Sequence, residues 1–307
     1  MFFVPDETPH RMFEFLDNFK RNSIWSIAIY IENGDFSFQK KIKSPELVLD
    51  SKRLRIRKRH IHTYADPFLF PFNDELFLFF ESQAVSEHGR IEVIKTADLK
   101  KFESLGEVLK EPFHLSYPFV FECDSSVFMI PESYTVNEVA LYKFEKFPYK
   151  LIRSRVLLNG GYWDSSAIKH NGVWFLFTTS SIGLEVFYTD DLENGRLTAH
   201  PLNPITTDPK YSRCGGCPLV VDDELYRIAQ DGSGEYGRNI HILRINDLSE
   251  TAYDEEIIAP DYFELHESWN SGGGHHFSLA KFKGKSIIAV DGKQNDFLLN
   301  KLLAIVN

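Results

Sequence analysis

Short apolar segments separated by polar turns recur along most of the chain, and they form a repeated unit. The segment DPFLFPFNDELFLFFES, from Asp66, aligns with YPFVFECDSSVFMIPES, from Tyr117, and in each a proline and a later glutamate lie fourteen positions apart. Three further copies begin at Asp164, Cys217 and His275, so the starts are spaced by 47 to 58 residues. Self-similarity at such a spacing is the signature of repeat architectures.

Each copy predicts a strand, a turn and a second strand, with turns at Asn-Asp, Asp-Ser, Asn-Gly, Asp-Asp and Lys-Gly. A third strand follows in four copies, and a short fourth segment precedes the next copy. Four antiparallel strands in about 50 residues are typical of a propeller blade. The sequence therefore predicts an all-β protein, a five-bladed β-propeller that occupies residues 1–307 as one domain. A β-sandwich with coincidental similarity between segments is the alternative.

The flanks of the repeats are less regular. Within residues 1–60 the pattern predicts a short amphipathic helix over 10–21 and a strand over 25–31, which could close the ring as an outer strand of the last blade. The basic segment 52–60, KRLRIRKRH, is typical of an exposed edge strand, and an anionic partner is the alternative. The tail from Asp296 fits a strand or a helix.

The repeat brings two sets of positions to one opening of the central channel, called the funnel below. The start of each innermost strand and the end of the antiparallel second strand lie at the same mouth. The first column is Asp66, Tyr117, Asp164, Cys217 (with Arg213 just before it) and His275. The second column is Glu81, Glu132, Thr179, Gln230 with Asp231, and Asp291. Any single carboxylate could simply cap a strand or a turn, but the set as a whole predicts a functional mouth.

Paired carboxyl groups beside aromatic rings favour sugar chemistry. Cleavage of a glycosidic bond needs one carboxylic acid to protonate the leaving oxygen and a second carboxylate as base or nucleophile. Asp66 precedes Pro67, which predicts an extended backbone with its side chain facing the channel.

Composition narrows the class of protein. Aromatic residues make up 14 %, which favours strands, and the net charge of −10 opposes a nucleic-acid partner. No apolar run reaches the length of a transmembrane segment. The apolar stretch among the first residues is too short for a signal peptide. Three cysteines cannot form a disulfide framework. We therefore expect a cytoplasmic protein.

Several strings together resemble a known family. HTYADPFLF (62–70), HLSYPFVFE (114–122), YWDSS (162–166), SRCGG (212–216) and GGHH (273–276) are similar to the N-terminal domain family of glucosamine inositolphosphorylceramide transferase. The resemblance covers roughly residues 25–292. It implies a role in glycan or polysaccharide metabolism, beside a partner glycosyltransferase.

A more distant similarity is to the five-bladed glycosidase clans that include arabinanases and invertases. It implies that Asp66 is the catalytic base, that Asp164 tunes a pKa, and that His275 or His276 is the histidine of the last blade. The glutamic acid of that pattern is absent, because RCGGC stands in its place. The acid is then expected from the second column, with Glu132 as first choice and Glu81 as second.

The prediction is thus a glycosidase or glycosyl-transferring enzyme, and the alternative is a glycan-binding propeller without catalysis. Asp66, Glu132 and Asp164 are the predicted catalytic residues, acting on a glycan or nucleotide sugar. No cofactor is predicted; a divalent cation in the funnel, and zinc or a disulfide at Cys214 and Cys217, are left open. The predicted substrate-binding residues are Glu81, Tyr117, Arg213, Gln230, Asp231, Tyr236, His275, His276 and Asp291.

Overall fold

The computed structural model describes residues 24–39, 44–49, 61–84 and 87–294. The predicted helix over 10–21, the basic segment 52–60 and the tail from Asp296 lie outside the described residues. No helix in these described ranges has the length and apolar character needed to cross a membrane.

The described residues are built almost entirely of strands. In chain order these are β1 (Ile24–Asn33), β2 (Leu47–Leu49), β3 (Ile61–Phe72), β4 (Glu75–Ala84), β5 (Arg90–Thr96), β6 (Glu103–Leu109), β7 (Ser116–Cys123), β8 (Ser126–Glu132), β9 (Glu138–Lys146), β10 (Lys150–Asn159), β11 (Trp163–His170), β12 (Val173–Ser180), β13 (Gly183–Thr189), β14 (Thr198–Ala199), β15 (Arg213–Cys214), β16 (Leu219–Val221), β17 (Glu224–Gln230), β18 (Ile240–Leu248), β19 (Tyr253–Ala259), β20 (Phe277–Phe282) and β21 (Lys285–Gln294). One 3₁₀ turn, Tyr134–Val136, follows β8.

The strands form five antiparallel sheets, which are the five blades of a β-propeller. Blade 1 is β3–β6, blade 2 is β7–β10, blade 3 is β11–β14, and blade 4 is β15–β19. Blade 5 runs in the order β20, β21, β1, β2, so strands from both ends of the described chain complete it. The predicted fold class is confirmed. The strand expected over residues 25–31 lies in β1, which is the third strand of blade 5, and β2 is the outermost.

The predicted hairpin turns are confirmed, and they share one backbone conformation. Both central residues have positive φ in every one: 48° and 59° at Asn73 and Asp74, for example, and 50° and 86° at Asn171 and Gly172. This is the type I′ turn, whose twist matches that of the flanking strands. The five turns lie at the far ends of the inner hairpins from the funnel.

The hydrophobic cores lie between neighbouring blades. Alternate residues of each strand pack against the next sheet, and aromatic side chains fill much of the space. Phe77, Phe79 and Val93 of blade 1 pack with Met129 and Tyr142 of blade 2 in one such core. The packed blades form a ring in which each innermost strand adjoins the central channel.

Candidate functional site

A β-bulge places the first-column residue in each of blades 1 to 3. The ladder of each inner hairpin shifts register there, between Ala65 and Phe68 in blade 1 and at the matching places in the next two blades. The φ angles of Asp66, Tyr117 and Asp164 are 53°, 45° and 52°, in the left-handed region. The extended backbone predicted for Asp66 is therefore wrong. The bulge overrides the preference imposed by the following proline, and it re-aims the side chain.

Asp66 is buried and lies against the last blade. Its Oδ2 accepts the N–H of Tyr117 at 3.2 Å, and its own N–H donates to Oδ2 of Asp291 at 3.1 Å. Its Oδ1 lies 3.9 Å from Nδ1 of His275 and 3.7 Å from Nδ1 of His276. Burial raises the pKa of Asp66 to about 7, although the charge of His275 opposes the shift.

His275 and Asp291 form a buried ion pair beside Asp66. Nδ1 of His275 is 2.6 Å from Oδ2 of Asp291, and Oδ1 of that carboxylate accepts the backbone N–H groups of His275 and His276. Burial by itself would lower the pKa of His275, but Asp291 reverses the shift and the pKa is raised. Burial raises and His275 lowers the pKa of Asp291, with a net decrease. The pair is therefore charged.

His276 is a neutral neighbour of this pair. Its ring packs edge-on against Phe68 and Tyr117, with centroids 4.5 and 5.1 Å away. Burial lowers its pKa to about 3, and neither ring nitrogen has a hydrogen-bond partner in the described residues.

Asp164, Arg213 and Glu132 form the opposite wall of the funnel. Nε of Arg213 donates to Oδ2 of Asp164 at 2.6 Å. Glu132, which is partly buried, shares a hydrogen bond with Asp164. Burial and the charge of Asp164 hold the pKa of Glu132 well above its usual range. Glu132 is therefore protonated and Asp164 is ion-paired.

Tyr117 of blade 2 forms a hydrogen bond with blade 4 across the funnel. Its side chain is buried, and its hydroxyl oxygen accepts the N–H of Gly216 at 3.0 Å. Gly216 has a φ of 150°, and a Cβ there would lie 2.2 Å from the carbonyl oxygen of Phe277 in blade 5. The inner strand of blade 4 is interrupted at this point, between β15 and β16, and Cys217 lies in the interruption.

Three second-column predictions have partners of their own. Oε1 of buried Glu81 lies 3.5 Å from Nε2 of His114. Gln230 is buried and pairs with Arg213 in the β15–β17 ladder. Asp231 accepts two hydrogen bonds from Ser233 and joins a separate group, described next.

Asp231 lies with His241 and Asp261 rather than against Asp66. Its Oδ2 is 3.7 Å from Nε2 of His241 and 3.7 Å from Nη1 of Arg238. Nδ1 of His241 accepts the N–H of Asp261. A neutral imidazole with that acceptor carries its proton on Nε2, which then points at Asp231.

Aromatic side chains that the sequence analysis did not select border the funnel. Tyr134 and Trp163 stack with centroids 4.8 Å apart and planes at 24°, and Tyr134 is 40 % exposed. Trp25 of β1 stacks on His275 at 4.3 Å. Tyr236, which was selected, lies with its ring 5.1 Å from the guanidinium of Arg213. Their positions in the sequence could have indicated two of these residues. Trp163 stands one residue before Asp164, and Tyr134 stands two residues after Glu132.

The structure locates the residues that could bind a cation, and it locates Cys214 and Cys217. Among the described residues, two groups offer ligand atoms within 4.8 Å of one another, Asp66 with His275 and Asp291, and Asp231 with His241 and Asp261. Cys214 and Cys217 are free thiols, and burial raises the pKa of each to about 12. Burial therefore keeps both thiols protonated at neutral pH.

Comparison with solved structures finds the same fold in proteins of low sequence identity. An α-L-arabinofuranosidase from Clostridium thermocellum ATCC 27405 superposes with a TM-score of 0.54 at 13 % identity, over 76 % of this chain and 82 % of that one. A β-1,2-mannobiose phosphorylase from Listeria innocua has a TM-score of 0.55 at 12 % identity, over 91 % and 98 %. At these identities the likeness shows the fold alone.

Sequence comparison identifies the family. Residues 56–293 match the family described as glucosamine inositolphosphorylceramide transferase 1, N-terminal, and the chain belongs to that family. Glucosamine inositolphosphorylceramide transferase 1 of Oryza sativa subsp. japonica is 34 % identical over 241 residues, and that of Arabidopsis thaliana is 33 % identical over 245. The match covers 74 % of this chain and 32 % of each relative, so the chain corresponds to about a third of their length.

Proposed function

We propose that this protein is a carbohydrate-active enzyme of glycan or polysaccharide metabolism, which hydrolyses or transfers glycosyl groups in the funnel. One observation carries the proposal. Two ion pairs with no net charge, Asp164 with Arg213 and Asp291 with His275, lie in the funnel. Beside them lie two further carboxyl groups, those of Asp66 and Glu132, whose pKa values are raised. A pair of carboxyl groups held in different environments is the arrangement that acid–base catalysis on glycosides requires.

Glu132 suits the role of general acid. Its carboxyl group is protonated because it is desolvated and lies beside the Asp164 carboxylate. Arg213 compensates the charge of Asp164 and fixes its position. Glu132 also keeps part of its surface accessible, so that a leaving-group oxygen can approach its proton.

Asp66 suits the role of base or nucleophile. With a pKa of about 7 it is close to half ionised at neutral pH, which matches a general base to the working pH. The N–H of Tyr117 holds one carboxylate oxygen, and the other faces the two histidines.

The aromatic rings at the mouth supply the surfaces that sugar recognition uses. Tyr134 and Trp163, which stand next to Asp164 and near Glu132 in the sequence, form a stacked pair, and Tyr236 is 52 % exposed with its ring 5.1 Å from the guanidinium of Arg213. Apolar faces of pyranose rings stack on such side chains, while the carboxylates bind hydroxyl groups. The substrate we infer is a glycan or a nucleotide sugar.

Membership of the family supports a setting in glycosyl transfer. The relatives carry the name of a transferase, and we propose that this chain works with a glycosyltransferase partner in the cytoplasm. A glycan-binding propeller without catalysis is the second candidate. The observation that favours it is the segment Arg213–Cys217, which has no carboxylate where the glycosidase-like pattern has its acid.

Asp66→Asn and Glu132→Gln test the proposal, because each change preserves size and removes the ionisable group. On a substrate found by screening glycans and nucleotide sugars for release or transfer, each variant should lose about 10²- to 10⁴-fold in kcat. Binding of the same substrate should persist. Glu122→Gln, an exposed residue at the opposite end of the blade 2 hairpin, is the matched control.

Full turnover by both variants would contradict the assignment of Asp66 and Glu132. Tight glycan binding by wild type and by both variants, with turnover by none of them, would establish the second candidate.

A further inference from the structure

The stacked aromatic pair of Tyr134 and Trp163 belongs to the wall of the funnel that carries Glu132 and Asp164. Trp163 directly precedes Asp164, and Tyr134 stands two residues after Glu132. Two residues of extended chain span at most about 7 Å, so neither ring is carried far from these carboxyl groups. The two carboxyl groups also share a hydrogen bond with each other. The backbone therefore holds the aromatic pair next to the predicted acid.

Two loops fix the aromatic pair in position. The 3₁₀ turn Tyr134–Val136 is followed by Asn137, whose carbonyl oxygen accepts the N–H of Gly160 at 2.8 Å. Gly161 packs beside the tyrosine ring, because a Cβ added there would lie 3.0 Å from Cε2 of Tyr134. An aromatic surface that is fixed before the ligand arrives loses little conformational entropy on binding.

Tyr134 remains 40 % exposed although it is stacked, so a ligand can contact it. The other exposed tyrosine of the mouth, Tyr236, touches residues of both walls. Its ring lies 5.1 Å from the guanidinium of Arg213 and 5.1 Å from the ring of His275. Tyr236 therefore bridges the two walls, whereas the stacking partner of Tyr134 belongs to the Glu132 wall.

The role proposed for Glu132 determines what lies beside Tyr134. The bond from the anomeric carbon to the leaving oxygen breaks, both electrons go to that oxygen, and the oxygen takes the proton of Glu132. Asp66, or a water molecule that Asp66 deprotonates, attacks the carbon. The leaving group is therefore on the Glu132 side of the bond, and the transferred glycosyl group is toward Asp66. A ring attached to the leaving oxygen comes to lie beside Tyr134.

The charges on this wall favour a sugar over a nucleotide as the leaving group. Asp164 is negatively charged, and the guanidinium of Arg213, which could attract a diphosphate, is already paired with it. A diphosphate beside the Asp164 carboxylate would be repelled. The C–H face of a pyranose ring carries no charge, and it stacks on aromatic side chains.

We propose that Tyr134 and Trp163 form the subsite for the leaving group, and that the substrate is a glycan of at least two sugar residues. The sugar ring released by cleavage stacks on Tyr134, and Gly161 positions that tyrosine. The inference rests on the proposed function and specifies its substrate class, because it selects a glycan over a nucleotide sugar.

Saturation-transfer NMR of the 307-residue chain tests the proposal. The probes are disaccharides of glucose, galactose, mannose and xylose, the methyl glycoside of each non-reducing sugar, and uridine diphosphate glucose. In wild type the reducing-end ring of a bound disaccharide should receive saturation. That disaccharide should bind about three- to tenfold more tightly than its methyl glycoside, the range for stacking of a ring on an aromatic side chain. Tyr134→Ala should abolish this preference and leave the affinity for the methyl glycoside unchanged.

Tyr149→Ala is the matched control, because Tyr149 is 57 % exposed and lies between β9 and β10, at the end of blade 2 far from the funnel. It should change neither affinity. Gly161→Ala should reduce the preference for the disaccharide, because its Cβ displaces the ring of Tyr134.

Three results would overturn the subsite. One is equal weakening of the disaccharide and the methyl glycoside by Tyr134→Ala. The second is that no disaccharide binds wild type at millimolar concentration. The third is that uridine diphosphate glucose alone binds in a manner that depends on Tyr134.

The same spectra separate this inference from the proposed function, because cleavage appears as new sugar signals whereas the affinities describe binding. A preference for the disaccharide that depends on Tyr134 supports the subsite whether or not Asp66→Asn and Glu132→Gln abolish turnover. If those two variants lose turnover while Tyr134→Ala leaves the preference intact, the subsite is wrong and the proposed function stands.

Discussion

Asp66 is the residue whose protonation connects the site to the stability of the fold. Its pKa rises from 3.8 to about 7 on folding, so between these values the folded chain holds a proton that the unfolded chain has lost. The stability contributed by this residue is therefore present at low pH and is lost as pH rises toward 7. Burial of this carboxyl group thus destabilises the fold near neutral pH, where the group is ionised.

We predict that Asp66→Asn removes this pH dependence. We compare the free energy of unfolding of the variant with that of wild type at each pH. The difference, variant minus wild type, should increase by up to about 4 kcal/mol from pH 4 to pH 8, at about 1.4 kcal/mol per pKa unit. Urea denaturation at the two pH values measures it. Asp98→Asn is the control, because the N–H groups of Lys101 and Lys100 lower the pKa of exposed Asp98 below 3.8, so that its stability contribution is lost only below about pH 4 and should change little between pH 4 and pH 8. A pH-independent difference for Asp66→Asn would contradict the raised pKa.

At the scale of elements, turns were predictable and bulges were not. The dipeptides Asn-Asp, Asn-Gly and Lys-Gly tolerate positive φ, so two adjacent residues are enough to predict each hairpin turn. The bulges at Asp66 and Asp164 depend on the register between two strands, which no short segment encodes. The sequence therefore indicated that Asp66 and Asp164 open the inner hairpins of their blades, but it did not indicate the backbone conformation of Asp66.

Alanine substitutions at two glycines with positive φ distinguish the cost of backbone strain from the cost of a steric clash. Gly172 lies in a hairpin turn at φ 86°, and a Cβ added to it would have no atom within 4 Å, whereas a Cβ on Gly216 would lie 2.2 Å from the Phe277 carbonyl oxygen. Gly172→Ala should lower the free energy of unfolding by about 1 kcal/mol, from backbone strain alone. Gly216→Ala should cost about 3 kcal/mol or more, because blades 4 and 5 must separate. Equal losses in thermal or urea unfolding would argue against this close contact.

At the scale of the whole molecule, the repeat made the propeller predictable from sequence, but the groups contributed from outside the columns were not. Trp25 reaches His275 from the N-terminal strand, and Lys293 reaches the carbonyl oxygen of Tyr236 from the last strand. The first contact exists only because the ring closes and brings the two ends of the described chain together, and the second joins the neighbouring blades 4 and 5. Local patterns carry no signal for such contacts, since they depend on the tertiary arrangement.

Ring closure gives the last prediction. β1 pairs with β21 along ten residues, and β2 pairs with β1, yet both strands precede the family match, which begins at residue 56. Without them β21 would present a long unpaired edge with buried residues such as Ile287 and Ile288 exposed, and His275 would lose the stacking of Trp25. A chain of residues 56–307 should therefore lack a cooperative thermal transition and associate in size-exclusion chromatography. Addition of a peptide of residues 24–49 should restore the transition by supplying the missing strands. A monomeric 56–307 chain that melts at the temperature of the full protein would show instead that closure of blade 5 is dispensable.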